Sequence, residues 1–208
     1  METIEQYLTN LRLDAPVPGG GSAATVVTAC GAALVGMVAR ICARSPKYAV
    51  HAELTEALAA AGDALVGELS ALRIRDENAF AAVVEAQALP KSTLEQQAAR
   101  GRALERSLQE AAAAPLATAA AALQVVRCAA QLLEIGNRHL ASDAGCAAEF
   151  GSAGLTACAY NVRVNHRYMH DATAIALQET TLVRYENEAA EKLAAVRAAV
   201  GAILAPPG

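Results

Sequence analysis

The chain has 208 residues, a formal net charge of −4 and 54% apolar residues, but no tryptophan and only 2 phenylalanines. This apolar content excludes a disordered chain, and the scarcity of aromatic side chains argues against an all-β fold. Roughly a quarter of the residues are alanine, the strongest helix former. The composition therefore predicts a single all-α domain over residues 1–208. The acidic balance argues against nucleic-acid binding, which needs a basic face.

Five cysteines are scattered along the chain, and none of them forms a C-x-x-C spacing. This usage indicates reduced thiols rather than a disulfide framework or a zinc site, and it favours a cytoplasmic location. The N-terminal sequence METIEQYL lacks a basic segment followed by an apolar core, so we predict no signal peptide. Residues 19–39 carry no charge and are long enough to span a bilayer. Their three glycines and many small side chains favour a buried core helix instead, without a membrane partner.

Breaker residues divide the chain into seven predicted helices, at residues 3–13, 22–43, 51–88, 92–113, 115–135, 142–168 and 171–203. The second is apolar on every face and is therefore expected at the centre of the bundle. Ser92 and Glu95 have the spacing of a capping box at the start of the fourth helix. Pro115 is interpreted as a first-turn residue of the fifth helix, and Ser142 as the cap of the sixth.

A run of three glycines, Gly19, Gly20 and Gly21, leads into Ser22 at the predicted start of the second helix. Glycines let a ligand approach the main chain, and the free N–H groups of a helix N-terminus suit an anion. The same residues are also typical of a tight loop that lets an alanine-rich helix pack closely, and spacing alone favours this alternative. Neither a P-loop nor a dinucleotide fingerprint is present, because the lysine of the first and the preceding strand of the second are missing.

Asp76 lies inside the third predicted helix and shares a face with Phe80, four residues further on. An acid on the apolar side of a helix is costly unless it is paired or used. Burial would raise its pKa towards that of a general base. The alternative is a residue at the rim of the core that pairs with Arg73 or Arg75.

Asn161 and Asn165 form a polar stripe at i and i+4 in the sixth predicted helix. Amides in this arrangement can bind the hydrogen-bonding edge of a heterocycle, or they can fasten one helix to another. Asp143, near the start of the same helix, either takes part in chemistry or stabilises the helix dipole. Because 18 residues of helix extend about 27 Å, Asp143 and Asn161 cannot share a small site on one straight helix. They either bind opposite ends of a long ligand or meet through a partner subunit.

Lys91, in the break after the third helix, is a loop cation of a kind that is usually solvated surface. The four histidines lack the spacing of metal ligands, so no metal site is predicted.

Taken in chain order, the motifs resemble the cyclodeaminase/cyclohydrolase family over about residues 3–200. The PGGGS and SDAG blocks are the most specific parts of this resemblance. It rests on the segments Ala15-Pro16-Val17-Pro18-Gly19-Gly20-Gly21-Ser22, Gly31-Ala32-Ala33-Leu34-Val35-Gly36-Met37-Val38, Lys47-Tyr48, Asp76-x-x-Ala79-Phe80, Leu89-Pro90-Lys91, Pro115-Leu116, Gly136-Asn137, Ser142-Asp143-Ala144-Gly145 and Asn161-Val162-x-x-Asn165.

The resemblance implies an all-helical homodimer that acts on a one-carbon derivative of tetrahydrofolate without a metal or another cofactor. It makes Asp76 the first candidate for the catalytic base and Asp143 the second. Substrate contacts are implied for Gly19, Gly20, Gly21, Ser22, Lys91, Asn137, Asn161 and Asn165. The expected activity is hydrolysis of 5,10-methenyltetrahydrofolate to 10-formyltetrahydrofolate. The alternatives are a formiminotetrahydrofolate cyclodeaminase that releases ammonia and a folate-binding helical dimer without catalysis.

Overall fold

The computed structural model describes residues 2–206, which form six α-helices joined by short connections. Two 3₁₀ turns, Pro46–His51 and Arg138–Leu140, precede the third and fifth helices. The helices are α1 (Ile4–Leu11), α2 (Gly20–Ala43), α3 (Ala52–Ala88), α4 (Leu94–Glu134), α5 (Ala141–His166) and α6 (Ala172–Leu204). The prediction of a single all-α domain is therefore confirmed.

The prediction of seven helices is wrong by one, because Pro115 does not begin a new helix. It lies buried inside α4, which continues unbroken across it. A proline inside a helix has no N–H to offer the carbonyl four residues earlier, here that of Ala111. The side-chain amide of Asn165 on α5 donates to this carbonyl at 2.9 Å instead. A tertiary hydrogen bond therefore satisfies the carbonyl that the proline leaves free.

Two predicted helix caps are shifted. Helix α4 is capped by Thr93, whose side chain and main chain form a reciprocal capping box with Gln96. Thr93 and Gln96 have the same spacing as the predicted pair, Ser92 and Glu95, and lie one residue later in the sequence. Ser142 lies in the first turn of α5 and is not its cap, since that helix begins at Ala141 and has no side-chain cap.

Helix α2 lies at the centre of the bundle, as its apolar sequence predicts, and packs against α3, α4 and α5. Glycines allow the close approach to α3: a Cβ atom on Gly62 would lie 2.7 Å from the main-chain nitrogen of Gly36. The approach to α5 is equally close, because a Cβ on Gly154 would overlap the side chain of Thr28. Small residues on the three helices therefore set their spacing.

Two helices, α2 and α4, are long and apolar enough to cross a membrane when judged by length and composition alone. In each, about half of the most apolar window is buried in the bundle, 44% and 50% respectively. A central core helix has the same length and composition, so this finding agrees with the packing of α2 and α4.

Candidate active site

A cavity of about 420 Å³ opens between the start of α2, the second half of α3, the middle of α4 and the end of α5. This volume lies within the range of about 300–1,000 Å³ that is typical of small-molecule sites. Three predicted site features meet here: the glycine turn, Asp76 and the two asparagines of α5. Among the described residues that line the cavity, Asp76 is the only charged one.

Asp76 is partly buried against the glycine turn. A Cβ atom on Gly21 would lie 2.5 Å from both of its carboxylate oxygens, so a side chain there would displace the Asp76 carboxylate. Burial, followed by the negative charge of Glu77, raises the pKa of Asp76 to about 6. A hydrogen bond from the main-chain N–H of Ser22 acts in the opposite direction. Asp76 is thus a carboxyl whose proton exchanges close to neutral pH.

The glycine turn brings the first residues of α2 against two other helices. Gly21 contacts Asp76 of α3, and a Cβ on Gly20 would lie 3.7 Å from the side-chain amide of Asn161 on α5. Gly19 is the N-cap residue of α2, and because glycine has no side chain, the start of this helix has no side-chain cap. All three glycines line the cavity, so a ligand there can reach main-chain atoms without meeting a side chain.

Asn161 and Asn165 present their oxygens, because their amide nitrogens are already engaged. The nitrogen of Asn161 donates to the carbonyl of Ala157 at 2.8 Å. That of Asn165 donates to the carbonyls of Ala111 and Asn161, at 2.9 and 2.8 Å. Neither amide oxygen accepts a hydrogen bond from another described residue. The nitrogen of Asn165 thus fastens α5 to α4, as one interpretation predicts, and the binding of a ligand by the two oxygens stays a prediction.

The remaining walls of the cavity are mainly apolar. They are formed by side chains of α3, α4 and the end of α5: Phe80, Val83, Leu104, Leu108, Ala111, Val164 and Tyr168. Phe80 is 43% exposed and Tyr168 is 62% exposed, so both rings are accessible from the opening. From Asp76 to Gln87, the lining residues of α3 extend about 16 Å along the helix. The cavity therefore suits an elongated ligand with an aromatic or apolar middle part.

Behind the cavity, a buried hydrogen-bond network joins α1, α2 and α3. Ser22 is fully buried, and its hydroxyl donates to Glu77 at 2.8 Å. The hydroxyl of Tyr7 on α1 lies 3.0 Å from the Ser22 oxygen. Arg73 donates to the same oxygen of Glu77 at 3.0 Å, and its guanidinium lies over the Tyr7 ring. The side chain of Ser22 thus faces this network rather than the cavity.

Three predicted site residues lie away from the cavity. Lys91 is exposed in the connection between α3 and α4. Asn137 accepts from the N–H of His139 and donates to the Cys42 sulfur at 3.4 Å, which places it at the C-terminal end of α2. Asp143 lies in the first turn of α5, about 27 Å along the helix from Asn161. Within this chain, Asp143 and Asn137 therefore do not join Asp76.

Sequence reasoning missed several residues of the cavity and of the network behind it. Val164 and Tyr168 follow Asn161 at helical spacing, and this periodicity could have indicated them. Tyr7 and Glu77 carried no local signal, because their contact with Ser22 joins parts of the chain that are 15 and 55 residues away. Over residues 2–206, no group of three or more His, Cys, Asp or Glu side chains is arranged to hold a metal ion.

Comparison with known proteins gives a consistent result. The family profile described as formiminotransferase-cyclodeaminase matches residues 3–183. A methenyltetrahydrofolate cyclohydrolase of Methylorubrum extorquens is 40% identical over 171 residues, which cover 82% of each chain. A formimidoyltransferase-cyclodeaminase of Mus musculus is 34% identical over 154 residues, which cover 74% of this chain and 28% of the mouse protein. The crystal structure of a formiminotetrahydrofolate cyclodeaminase from Thermotoga maritima superimposes with a TM-score of 0.88 at 25% identity, covering 98% of both chains.

The helical bundle is that of the cyclohydrolase/cyclodeaminase enzymes, a family that acts on tetrahydrofolate derivatives. The chain belongs to the formiminotransferase-cyclodeaminase family. The family resemblance stated from the sequence motifs is thereby confirmed.

Proposed function

We propose that this protein is a methenyltetrahydrofolate cyclohydrolase, which hydrolyses 5,10-methenyltetrahydrofolate to 10-formyltetrahydrofolate. The observation that carries the proposal is the single carboxyl of Asp76 in an otherwise uncharged cavity, with its pKa raised to about 6. The substrate carries its reactive carbon between two nitrogens as an amidinium cation. A lone carboxylate in a partly apolar cavity stabilises such a cation more strongly than it would in water.

The chemical step requires a base and then an acid. Asp76 takes a proton from water as the water oxygen bonds to the amidinium carbon, which yields a neutral carbinolamine. It returns this proton to N5 as the bond between the carbon and N5 breaks, and the formyl group remains on N10. The hydroxyl proton of the carbinolamine passes to solvent, so that one proton is released overall. A pKa of about 6 suits both transfers near neutral pH.

The other predicted contacts follow the shape of the substrate. The acceptor oxygens of Asn161 and Asn165 bind N–H groups of the pterin ring, and the glycine turn binds a polar edge through its main chain. Phe80 and Tyr168 pack against the benzoyl spacer. Lys91, outside the cavity, meets a carboxylate of the glutamate tail.

The proposed activity is tested by the absorbance of the amidinium. Purified protein is mixed with 5,10-methenyltetrahydrofolate, and the loss of the chromophore is compared with the rate in buffer. We expect rapid loss, and a decrease of about 100-fold or more in kcat for Asp76→Asn, which cannot accept the proton. Asp14→Asn, a change in an exposed loop, is the matched control and should retain activity.

A second activity is supported by the likeness to the Thermotoga maritima cyclodeaminase, which extends over 98% of both chains. A cyclodeaminase would expel ammonia from formiminotetrahydrofolate in the same cavity, again with Asp76 as the acid–base group. Ammonia release from that substrate, together with no acceleration of methenyl hydrolysis, would replace the first proposal by this one. Binding of both folates without turnover would contradict both.

We further propose that the protein is a cytoplasmic homodimer. Along the outward face of α2, Val27, Met37 and Ile41 are 39%, 37% and 44% exposed, and the helix carries no charge before Arg40. Phe150 of the adjacent α5 extends this apolar surface. A second copy of the chain would cover it. In such a dimer, the Asp143 end of one protomer could approach the cavity of the other, as the long separation of Asp143 and Asn161 requires for a shared site.

A further inference from the structure

We infer that Glu77 is a positioning residue of this active site: it holds Ser22 and the glycine turn in place, and its charge acts on Asp76. The inference rests on the proposed role of Asp76 as the base. Glu77 does not line the cavity and is a neighbour of Asp76 in sequence. Its influence on the reaction would therefore pass entirely through other residues.

The direction of the hydrogen bonds follows from the chemistry of the groups. Glu77 can only accept when it is ionised, so the single hydroxyl hydrogen of Ser22 is used in the 2.8 Å bond to it. The Tyr7 hydroxyl, 3.0 Å from the Ser22 oxygen, must then be the donor of that contact. The chain of donors runs from Tyr7 through Ser22 and ends on Glu77. Removal of Glu77 would leave the buried Ser22 hydroxyl without its acceptor.

Two consecutive residues of α3 thus hold the same residue of α2. Asp76 accepts from the main-chain N–H of Ser22, and Glu77 accepts from its side chain. This double attachment fixes the start of α2 against α3, at the point where Gly21 touches the Asp76 carboxylate. The distance between the base and the glycine turn therefore depends on Glu77 as well as on Asp76.

The charges around Asp76 make Glu77 its principal electrostatic neighbour. After burial, which has the larger effect, the charge of Glu77 raises the pKa of Asp76. Arg73 is bonded to Glu77 and Glu2, not to Asp76. From the other elements, the buried thiol of Cys158 on α5 interacts with the charge of Asp76, whereas Tyr7 of α1 interacts with Glu77. Helix α4 faces the cavity with apolar side chains.

Two variants separate the effect of the length of the Glu77 side chain from the effect of its charge. Glu77→Gln keeps an oxygen that can accept from Ser22 but removes the charge, and Glu77→Asp keeps the charge but shortens the side chain. Glu68→Gln, an exposed change on the same helix with the same effect on net charge, is the control. The titration of Asp76 is followed in substrate-free protein by ¹³C NMR of labelled aspartate carboxyl carbons, and its signal is assigned by its absence in Asp76→Asn.

For Glu77→Gln, we expect the Asp76 titration midpoint to fall by about 0.5–1 pH unit, because a neighbouring negative charge is removed. The acid limb of kcat/KM should move to lower pH by the same amount. Glu77→Asp should lower kcat and leave the midpoint in place. Should Glu77→Gln fail to fold, Arg73→Gln provides a second test. Loss of the cation that is paired with Glu77 leaves the negative charge of Glu77 uncompensated, so the Asp76 midpoint should move upward.

An unchanged midpoint in Glu77→Gln, accompanied only by a lower Tm, would show that Glu77 contributes to stability alone and does not act on Asp76, and it would overturn the inference. The titration is measured without substrate, so its outcome does not depend on which folate reaction the enzyme performs. If Asp76→Asn retained full turnover while Glu77→Gln shifted the midpoint, the proposed role of Asp76 as the base would fail and the electrostatic coupling would stand.

Discussion

As the proposed catalytic base, Asp76 carries a conflict between stability and function that can be measured. Its pKa is raised to about 6 from an ordinary value of 3.8, so the folded state holds the proton more tightly than the unfolded state does. A raised carboxyl pKa gives stability that is present below pH 4 and is lost as pH rises through about 6. The ionised form that the proposed base requires is therefore the form that destabilises the fold.

We predict that Asp76→Asn raises Tm near neutral pH and changes it less at acid pH, because asparagine has the shape of the protonated acid and does not ionise. Thermal unfolding at about pH 4 and about pH 7.5 measures the difference. Asp14→Asn, in an exposed loop, is the control and should behave as the wild type at both values. An equal or lower Tm for Asp76→Asn near neutral pH would show that its charge is not destabilising in the fold.

At the scale of elements, the contact between α2 and α3 depends on the absence of a side chain at Gly62. A methyl group there would lie 2.7 Å from the main-chain nitrogen of Gly36 and 3.0 Å from the carbonyl oxygen of Ala32. Main-chain atoms inside two packed helices cannot move aside as the end of a flexible side chain can. Gly67, five residues further along α3, has no neighbour within 4 Å of the same position.

We predict that Gly62→Ala lowers the free energy of unfolding by about 1–3 kcal/mol, as expected for overpacking in a core. Gly67→Ala should raise it by about 0.5–1 kcal/mol, because alanine is the better helix former and meets no obstacle. Urea denaturation of the two variants at equal protein concentration tests the pair. Equal effects of the two substitutions would mean that helix propensity, and not the contact with Gly36, determines the outcome.

At the scale of the whole molecule, the exposed apolar face of α2 is the surface expected to bind a second copy. Met37 lies in the middle of this face and is 37% exposed, so the folded monomer has room for a different side chain there. A charge buried at an apolar interface would be unpaired and costly, whereas the same charge on a free monomer would be solvated.

We predict that the wild-type protein has the mass of a dimer in light scattering at micromolar concentration and that Met37→Glu has the mass of a monomer with unchanged helix content. Leu177→Glu, on the exposed side of α6 where the leucine is 70% exposed, makes the same chemical change elsewhere and should remain dimeric. A monomeric wild type, or dissociation by both variants alike, would contradict an interface on this face.

Local sequence patterns were sufficient to predict the fold class, the central helix, the family and one residue of the cavity. Alanine content and apolar periodicity determined that the fold is all-α and that α2 is central, because helix propensity and amphipathicity act over a few residues. The order of short motifs determined the family. The placement of Asp76 on the same face as Phe80 identified the carboxyl that the cavity contains, since four residues of helix bring side chains together whatever the rest of the fold does.

Other properties were decided only by tertiary structure, because they depend on contacts between distant parts of the chain. Local sequence marks Pro115 as a helix start, but Asn165 supplies the hydrogen bond that lets α4 continue through it. The local motif predicts that Ser22 contacts a ligand, but packing turns its hydroxyl towards Tyr7 and Glu77. The separation of Asp143 from Asp76 and the raised pKa of Asp76 likewise follow from how whole helices are arranged, since burial and neighbouring charge exist only once the helices have packed.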